Sequence, residues 1–305
     1  MIKFLLKRVL EFIPVLLIIS FIVFSLVFVA GNPVALMLPE DASQEDIERL
    51  TVALGLDQPF IVQYGKYMLD LVQGDFGKSF RYNTDALPLV LERLPATLEL
   101  AAASMIIAII IAIPLGVWSA TRKNSSLDLL ATGGAVIGKA MPNFWLGIML
   151  ILLFSVTLGW FPVSGRGTIA HLILPAITLG TGVAAEMTRL IRSSMVEILS
   201  QDYVRTAKSK GLRNFFVVYK HAFRNSLIPV VTITALQTST LVGGALITET
   251  VFSWPGLGQL LIQAVNTRDM AIVQASVFTI AILVIFMNLL ADVVYRILDP
   301  RIKYS

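Results

Sequence analysis

The sequence predicts an all-α polytopic membrane protein with six transmembrane helices and both termini in the cytoplasm. Three observations carry this. First, the 305 residues are 56% hydrophobic and only 14% charged, with a mean hydropathy of +0.79, whereas a soluble chain is typically about 25% charged. Second, the apolar residues fall into windows long enough to span a bilayer. Third, Lys and Arg lie mostly on one side of those windows. Disorder and nucleic-acid binding as a main role are excluded by this composition, despite a net charge of +4 and a pI of 9.3. With 0 Cys there is no disulfide framework, thiolate metal site or cysteine nucleophile, and His171 and His221 alone make no histidine-rich metal site.

A bilayer core asks for roughly 20 apolar residues per helix. Six windows meet this: 12–30, 98–118, 129–158, 172–191, 226–247 and 271–295. The first follows Lys3, Lys7 and Arg8. Its apolar run exceeds the ~7–15 residues of a signal-peptide core, and no small-x-small cleavage site precedes Gly31-Asn32-Pro33, so a retained helix is expected. Residues 31–97 form a long external segment with ten acids and five bases, in which Ser43 and Asp46 mark a helix start and Gly55 its stop. The third window contains Pro142 and is expected to be one helix that bends or tilts there, because proline removes a backbone bond and membrane helices tolerate the kink. Residues 192–225 are the long cytoplasmic connection, and the remaining loops are short. With the N-terminus inside, 16 Lys and Arg fall inside and 7 outside, Lys139 lying within a window; this is the positive-inside pattern. The organisation expected is a first helix plus external segment (1–93), a five-helix core (94–297) holding the loop 192–225, and a cytoplasmic tail (298–305).

The loop is the most informative stretch. Asp202-Tyr203-Val204-Arg205-Thr206-Ala207-Lys208-Ser209-Lys210-Gly211 reads as a short surface helix. Asp202 suits the N-cap, Lys208 and Lys210 oppose the negative helix end, and Gly211 suits a left-handed stop. Asn214 is placed to cap a second helix, 215–225, that runs into the fifth span. With Tyr203, Val204 and Ala207 on one side and bases on the other, the first helix fits either docking to a cytoplasmic partner or lying on anionic lipid. The residues alone leave both open.

Tyr203 to Gly211, followed by His221-Ala222-Phe223-Arg224-Asn225-Ser226-Leu227-Ile228-Pro229, resembles the cytoplasmic EAA-type loop of binding-protein-dependent ABC importer permeases, most of all the dipeptide, oligopeptide and nickel branch. Other segments are similar to that family in the same order. They are Leu54-Gly55-Leu56-Asp57-Gln58-Pro59, Gly74-Asp75-Phe76-Gly77, Leu94-Pro95-Ala96-Thr97-Leu98-Glu99 and Pro142-Asn143-Phe144-Trp145-Leu146-Gly147. Leu174-Pro175-Ala176-Ile177-Thr178-Leu179-Gly180, Glu249-Thr250-Val251-Phe252-Ser253-Trp254-Pro255-Gly256-Leu257-Gly258 and Asp299-Pro300-Arg301 complete the set. Arg205-Thr206 stands where the general pattern has Glu-Ala, and Phe223-Arg224 where it has Leu-Pro. The peptide branch shows such departures, so the loop keeps its role while one particular acidic contact is not implied.

The resemblance implies a type I ABC importer permease, multi-pass in a bacterial cytoplasmic (inner) membrane. It implies a heterodimer with a homologous second permease, two cytoplasmic ATPases that carry ATP and Mg, an external solute-binding protein, and a lipid surround. The residues 202–211 would be the ATPase-coupling element, and the chain itself would be neither an enzyme nor a holder of cofactors. Dipeptide or oligopeptide is the implied cargo, with glutathione or a nickel chelate as the alternative. A self-sufficient secondary transporter is the alternative from another class. It would call for inverted repeats, and none is visible.

Gly133-Gly134-Ala135-Val136-Ile137-Gly138-Lys139-Ala140 imitates a phosphate-binding loop up to its lysine. Ala140 replaces the hydroxyl that would meet Mg²⁺, and Gly134 with Gly138 instead fits a GxxxG helix-packing surface. Neither a His-Glu-x-x-His nor a Gly-x-Ser-x-Gly occurs, so an intramembrane hydrolase lacks its chemistry.

Charges within the windows cost at least ~2.5–3.5 kcal/mol at mid-membrane and so need partners, a cavity or an interface. Glu99 and Asp292 lie near window ends, where interfacial placement explains them. Asn288, Asp292 and Arg296 share one helix face by their i, i+4, i+8 spacing, and Glu186 and Arg189 are spaced to pair. Lys139 and Glu186 are expected to face the translocation pathway or to pair across the third and fourth spans. Trp254-Pro255-Gly256 reads as an interfacial anchor and helix stop or as part of an external gate, and His171 as a polar cap.

Overall fold

Helix follows helix along the described part of the chain, residues 2–29, 43–53 and 55–298 of the computed structural model. Gly31-Asn32-Pro33, Leu54, Asp299-Pro300-Arg301 and the remaining tail lie outside the described residues, as do the side chains of Lys3, Lys7 and His221. Among the described residues the one β feature is the isolated bridge between Lys78 and Asp85. The chain forms two compact units, one from Met1–Ala96 with Pro255–Ile285 and the other from Thr97–Trp254 with Phe286–Ser305.

In the first unit, α1 (Ile2–Val29) carries a shorter apolar stretch at Leu10–Leu26. α2 (Gln44–Ala53) begins as the residues dictate: Ser43 Oγ accepts from the Asp46 N–H at 3.2 Å and donates to its carboxylate at 2.6 Å. It stops at Gly55, where φ is +67°. α3 (Phe60–Gln73) packs on α1 through an aromatic cluster in which Phe24 stacks on Tyr67 at 5.2 Å and Ser20 meets the Tyr64 hydroxyl at 2.9 Å. Burial pushes the Tyr67 phenol up to about 12, helped by neighbouring Tyr64. Phe76, Val90, Leu257, Leu260, Ile272 and Phe278 form the core, joining the start of α4 (Ala86–Thr121) to α10 (Leu257–Asn266) and the first part of α11 (Met270–Leu298). Within it, Ser79 Oγ donates to the buried Asp269 at 2.5 Å.

The second unit holds the rest of α4, then α5 (Ser126–Ala140), α6 (Asn143–Leu150), α7 (Ile169–Leu199), α8 (Asp202–Ser209) and α9 (Arg224–Val251). Among the described residues, four helices are long and apolar enough to cross a membrane, Ala86–Thr121, Ile169–Leu199, Val230–Val251 and Met270–Val294, or five if the bent pair that follows counts as one span. α4 begins twelve residues before its apolar window because a helical backbone runs past the apolar stretch into polar surroundings.

The third window is not one bent helix. α5 and Asn143–Thr157 meet at 105° across a break at Met141 and Pro142. Proline has no N–H to continue the ladder and pushes the residue before it out of helical conformation. Met141 is accordingly extended, with φ −73° and ψ 128°, and Pro142 occupies the cap position of a fresh helix. The second half of that window then widens into a π-helix, Ile151–Thr157.

Close packing is set by small residues. Gly180 lies so near Ser104 that a Cβ there would sit 2.6 Å from the Ser104 carbonyl oxygen, and one on Gly116 would meet Ile191 at 2.7 Å. Of the expected GxxxG surface only Gly138 packs, against Thr181, whereas Gly134 has open space beside it.

Candidate functional site

The loop 192–225 folds onto the second unit. α8 is eight residues long, with Gln201, not Asp202, in the extended cap conformation (φ −74°, ψ 151°). Asp202 is instead the first helical residue, where its charge still faces the positive helix end. Gly211 takes the left-handed conformation expected of a stop, φ +76°. Val204 and Ala207 are buried against Val217 and Leu199, which fixes the helix to its neighbours. Arg205, Thr206, Lys208, Ser209 and Lys210 are all exposed. Tyr203 is exposed as well, and its hydroxyl accepts from Asn225 Nδ2 at 2.9 Å. Asn214 opens a short helical turn, Asn214–Phe216, instead of capping it. The chain then passes through a π-helix, Val217–Phe223, and continues into α9. A four-residue turn, 210–213, separates the surface helix from this segment, which runs without a break from Asn214 into the long helix.

Lys139 Nζ lies 2.8 Å from Glu186 Oε2, linking the end of α5 to the middle of α7. Glu186 thus takes Lys139 as its ion-pair partner across the helices, while Arg189, the neighbour expected from spacing, lines the adjoining cavity. Cavities of about 230 and 170 Å³ flank the pair. Neither Asn288 nor Asp292 lines them, both being half-buried on α11. Trp254 is 1% exposed, packed inside its unit, with the Arg166 guanidinium 5.7 Å over its ring. Pro255 is half-buried and Gly256 buried at the cap of α10. His171 Nδ1 meets Thr168 Oγ1 at 2.9 Å, at the start of α7.

Three polar contacts escape a window-by-window reading. Arg192 grips buried Asp128 with two hydrogen bonds, 2.6 and 2.7 Å, and Ser119 donates to the same carboxylate. The two charges border the third and fourth windows at the same end, which is the signal that pairs them. Arg166 bonds Glu99 at 2.5 and 2.8 Å, tying down a charge otherwise assigned to an interface. Thr97 Oγ1 donates to the fully buried Glu249 at 2.6 Å.

A helical chain with several membrane-length spans and a short helix fastened beside them is a transporter-like frame, and the comparisons place it. Residues 112–304 match the family described as binding-protein-dependent transport system inner membrane component, and residues 1–101 match its N-terminal companion. The chain belongs to this family. The permease is 41% identical, over the whole of both chains, to the dipeptide transport system permease protein of Alkalihalophilus pseudofirmus. It is 43% identical, again over both whole chains, to the oligopeptide transport system permease protein of Bacillus subtilis. A glutathione transport system permease protein of Salmonella paratyphi A is 42% identical, with both chains covered throughout. An inward-facing methionine ABC transporter structure shares the fold: TM-score 0.57, 21% identity, 69% of this chain and 96% of that one. The permease is thus an ABC transporter membrane subunit and not itself an enzyme.

Proposed function

We propose that the permease forms half of the translocation pathway of an ATP-driven peptide importer in a bacterial inner membrane. A homologous permease supplies the other half, two ATPases bind ATP and Mg on the cytoplasmic side, and an external solute-binding protein delivers dipeptide or oligopeptide. Full-length identity above 40% to dipeptide and oligopeptide permeases supports the cargo class. In this reading α1 is the first of six crossings, the broken α5–α6 segment is the third, and both termini are cytoplasmic.

The observation that carries the mechanism is α8, from Asp202 to the stop at Gly211. Its apolar residues hold it to α7 and to the π-helix that continues into α9, and its basic face is open. An ATPase that closes on ATP would push this helix, and the uninterrupted chain from Asn214 into α9 would carry the push into the membrane. The two conformations differ in their affinity for partners and cargo, and that difference drives alternating access. Copurification tests the reading. A tag on this chain should bring down a second permease and ATPases, and the assembly should import peptide at the expense of ATP. A stable chain that transports alone would overturn it.

A further inference from the structure

We propose that Lys139 and Glu186 form a charge-exchange station, where the terminal carboxylate of a crossing peptide takes Lys139 and its terminal ammonium takes Glu186. This rests on the peptide-import reading. The pair sits on two predominantly apolar helices read as membrane segments, yet the Lys139 side chain is 65% exposed and that of Glu186 28%. Charges so placed are too costly to turn to lipid, and the surface they face must be polar or wet.

The surroundings supply that surface. On one side the pair opens to a cavity of about 170 Å³ lined by Asn143, Gln237 and Thr240, with Gly182 and Gly244 in place of larger side chains. Gln237, 8% exposed, lines this cavity together with Glu186, so a third helix, α9, contributes a polar side chain beside the carboxylate. On the other side lies the cavity of about 230 Å³ lined by Thr132, Arg189 and Arg192. Lys139 precedes the helix break by two residues, so α5 ends just past it.

The contrast with Asp128–Arg192 is instructive. That pair is bidentate, with its carboxylate 6% exposed, and is built to stay closed. Lys139–Glu186 is a single contact with an open lysine. A zwitterionic peptide can replace each partner with one of the same sign, so the pathway presents no unpaired charge before, during or after passage. ATP-driven rearrangement would change which cavity is open, and the pair would re-form behind the cargo.

The assembled transporter with its binding protein, reconstituted in liposomes, provides the test, with dialanine as the probe. Lys139→Met and Glu186→Gln should each lower the maximal uptake rate at least tenfold, with the subunits still copurifying as one assembly. Lys139→Arg should keep most of the uptake, which shows that the charge matters and the fold survives. The swap Lys139→Glu with Glu186→Lys should stay low, because a peptide handed over in one orientation meets the wrong signs. Recovery in the swap would mean a structural pair and overturn the proposal, as would normal uptake in both single variants. Loss of assembly in the single variants alongside full recovery in the swap would overturn it equally. If wild type imports neither dialanine nor any longer peptide, the peptide reading itself falls, and this inference with it.

Discussion

Gly180 owes its place to the space it leaves empty. The Ser104 carbonyl approaches so closely that a methyl group would stand 2.6 Å from it, and a backbone oxygen cannot swing aside as a side chain can. Gly180→Ala should therefore destabilise the permease by ~1–3 kcal/mol, the usual cost of overpacking. Gly133→Ala, with nothing within 4 Å of the new atom, should be neutral or slightly stabilising. Thermal melting of the purified assembly compares the two, and equal melting temperatures would sink the argument. The same logic applies to charge. Asp128 is buried beneath Arg192, so Asp128→Ala leaves a guanidinium with its partner gone and should lower the melting temperature more than Glu45→Ala, whose exposed pair with Arg49 contributes ~0–1 kcal/mol.

Among the elements, α8 packs on its neighbours through two small apolar residues, Val204 and Ala207, with Tyr203 hydrogen-bonded to Asn225 beside them. Val204→Asp would put a carboxylate where Val217 and Leu199 now pack, and should uncouple ATP hydrolysis from uptake while the spans remain folded. Hydrolysis without import, in an assembly that still copurifies, is the expected result; tight coupling in the variant would contradict it. This helix was legible from sequence because its signals are local: a bounded run, basic residues near its end and Gly211 as the stop. The cap falls one residue before Asp202, at Gln201, since an acid is as favourable inside the first turn as at the cap. Four of the six expected spans stand among the described residues as helices long and apolar enough to cross a membrane, because apolar runs of bilayer length leave little choice, while the first window holds a shorter apolar helix and the third a broken pair. Pro142 marks the place of the break in the sequence but not its extent, which is 105° where a kink is expected. How far proline bends a helix depends on what receives the freed backbone, and that is a tertiary matter. For the same reason Lys139 with Glu186 was open to two readings, and Thr97 with Glu249, 152 positions apart, gave no local sign at all.

For the molecule as a whole, the membrane sets the frame. Leu129, Leu130, Ile110 and Val136 are all more than half exposed, an apolar surface suited to lipid. The chain has 0 Cys, so any introduced thiol is unique. With termini inside, Thr206→Cys should react with a membrane-impermeant maleimide only in inside-out vesicles, and Asn83→Cys only in right-side-out ones. Labelling of both from one side would invalidate the proposed orientation. The π-helix at Val217–Phe223 gives this frame a torsional property. A π-turn spends about one residue more than an α-turn over the same rise, and each α-helical residue advances the azimuth by about 100°. Residues before the π stretch are thus out of phase with α9 by about a quarter turn. Tightening this segment to α-geometry would twist the cytoplasmic end against the membrane helix, like a screw taking up slack, so an axial push at α8 could emerge in the membrane as rotation.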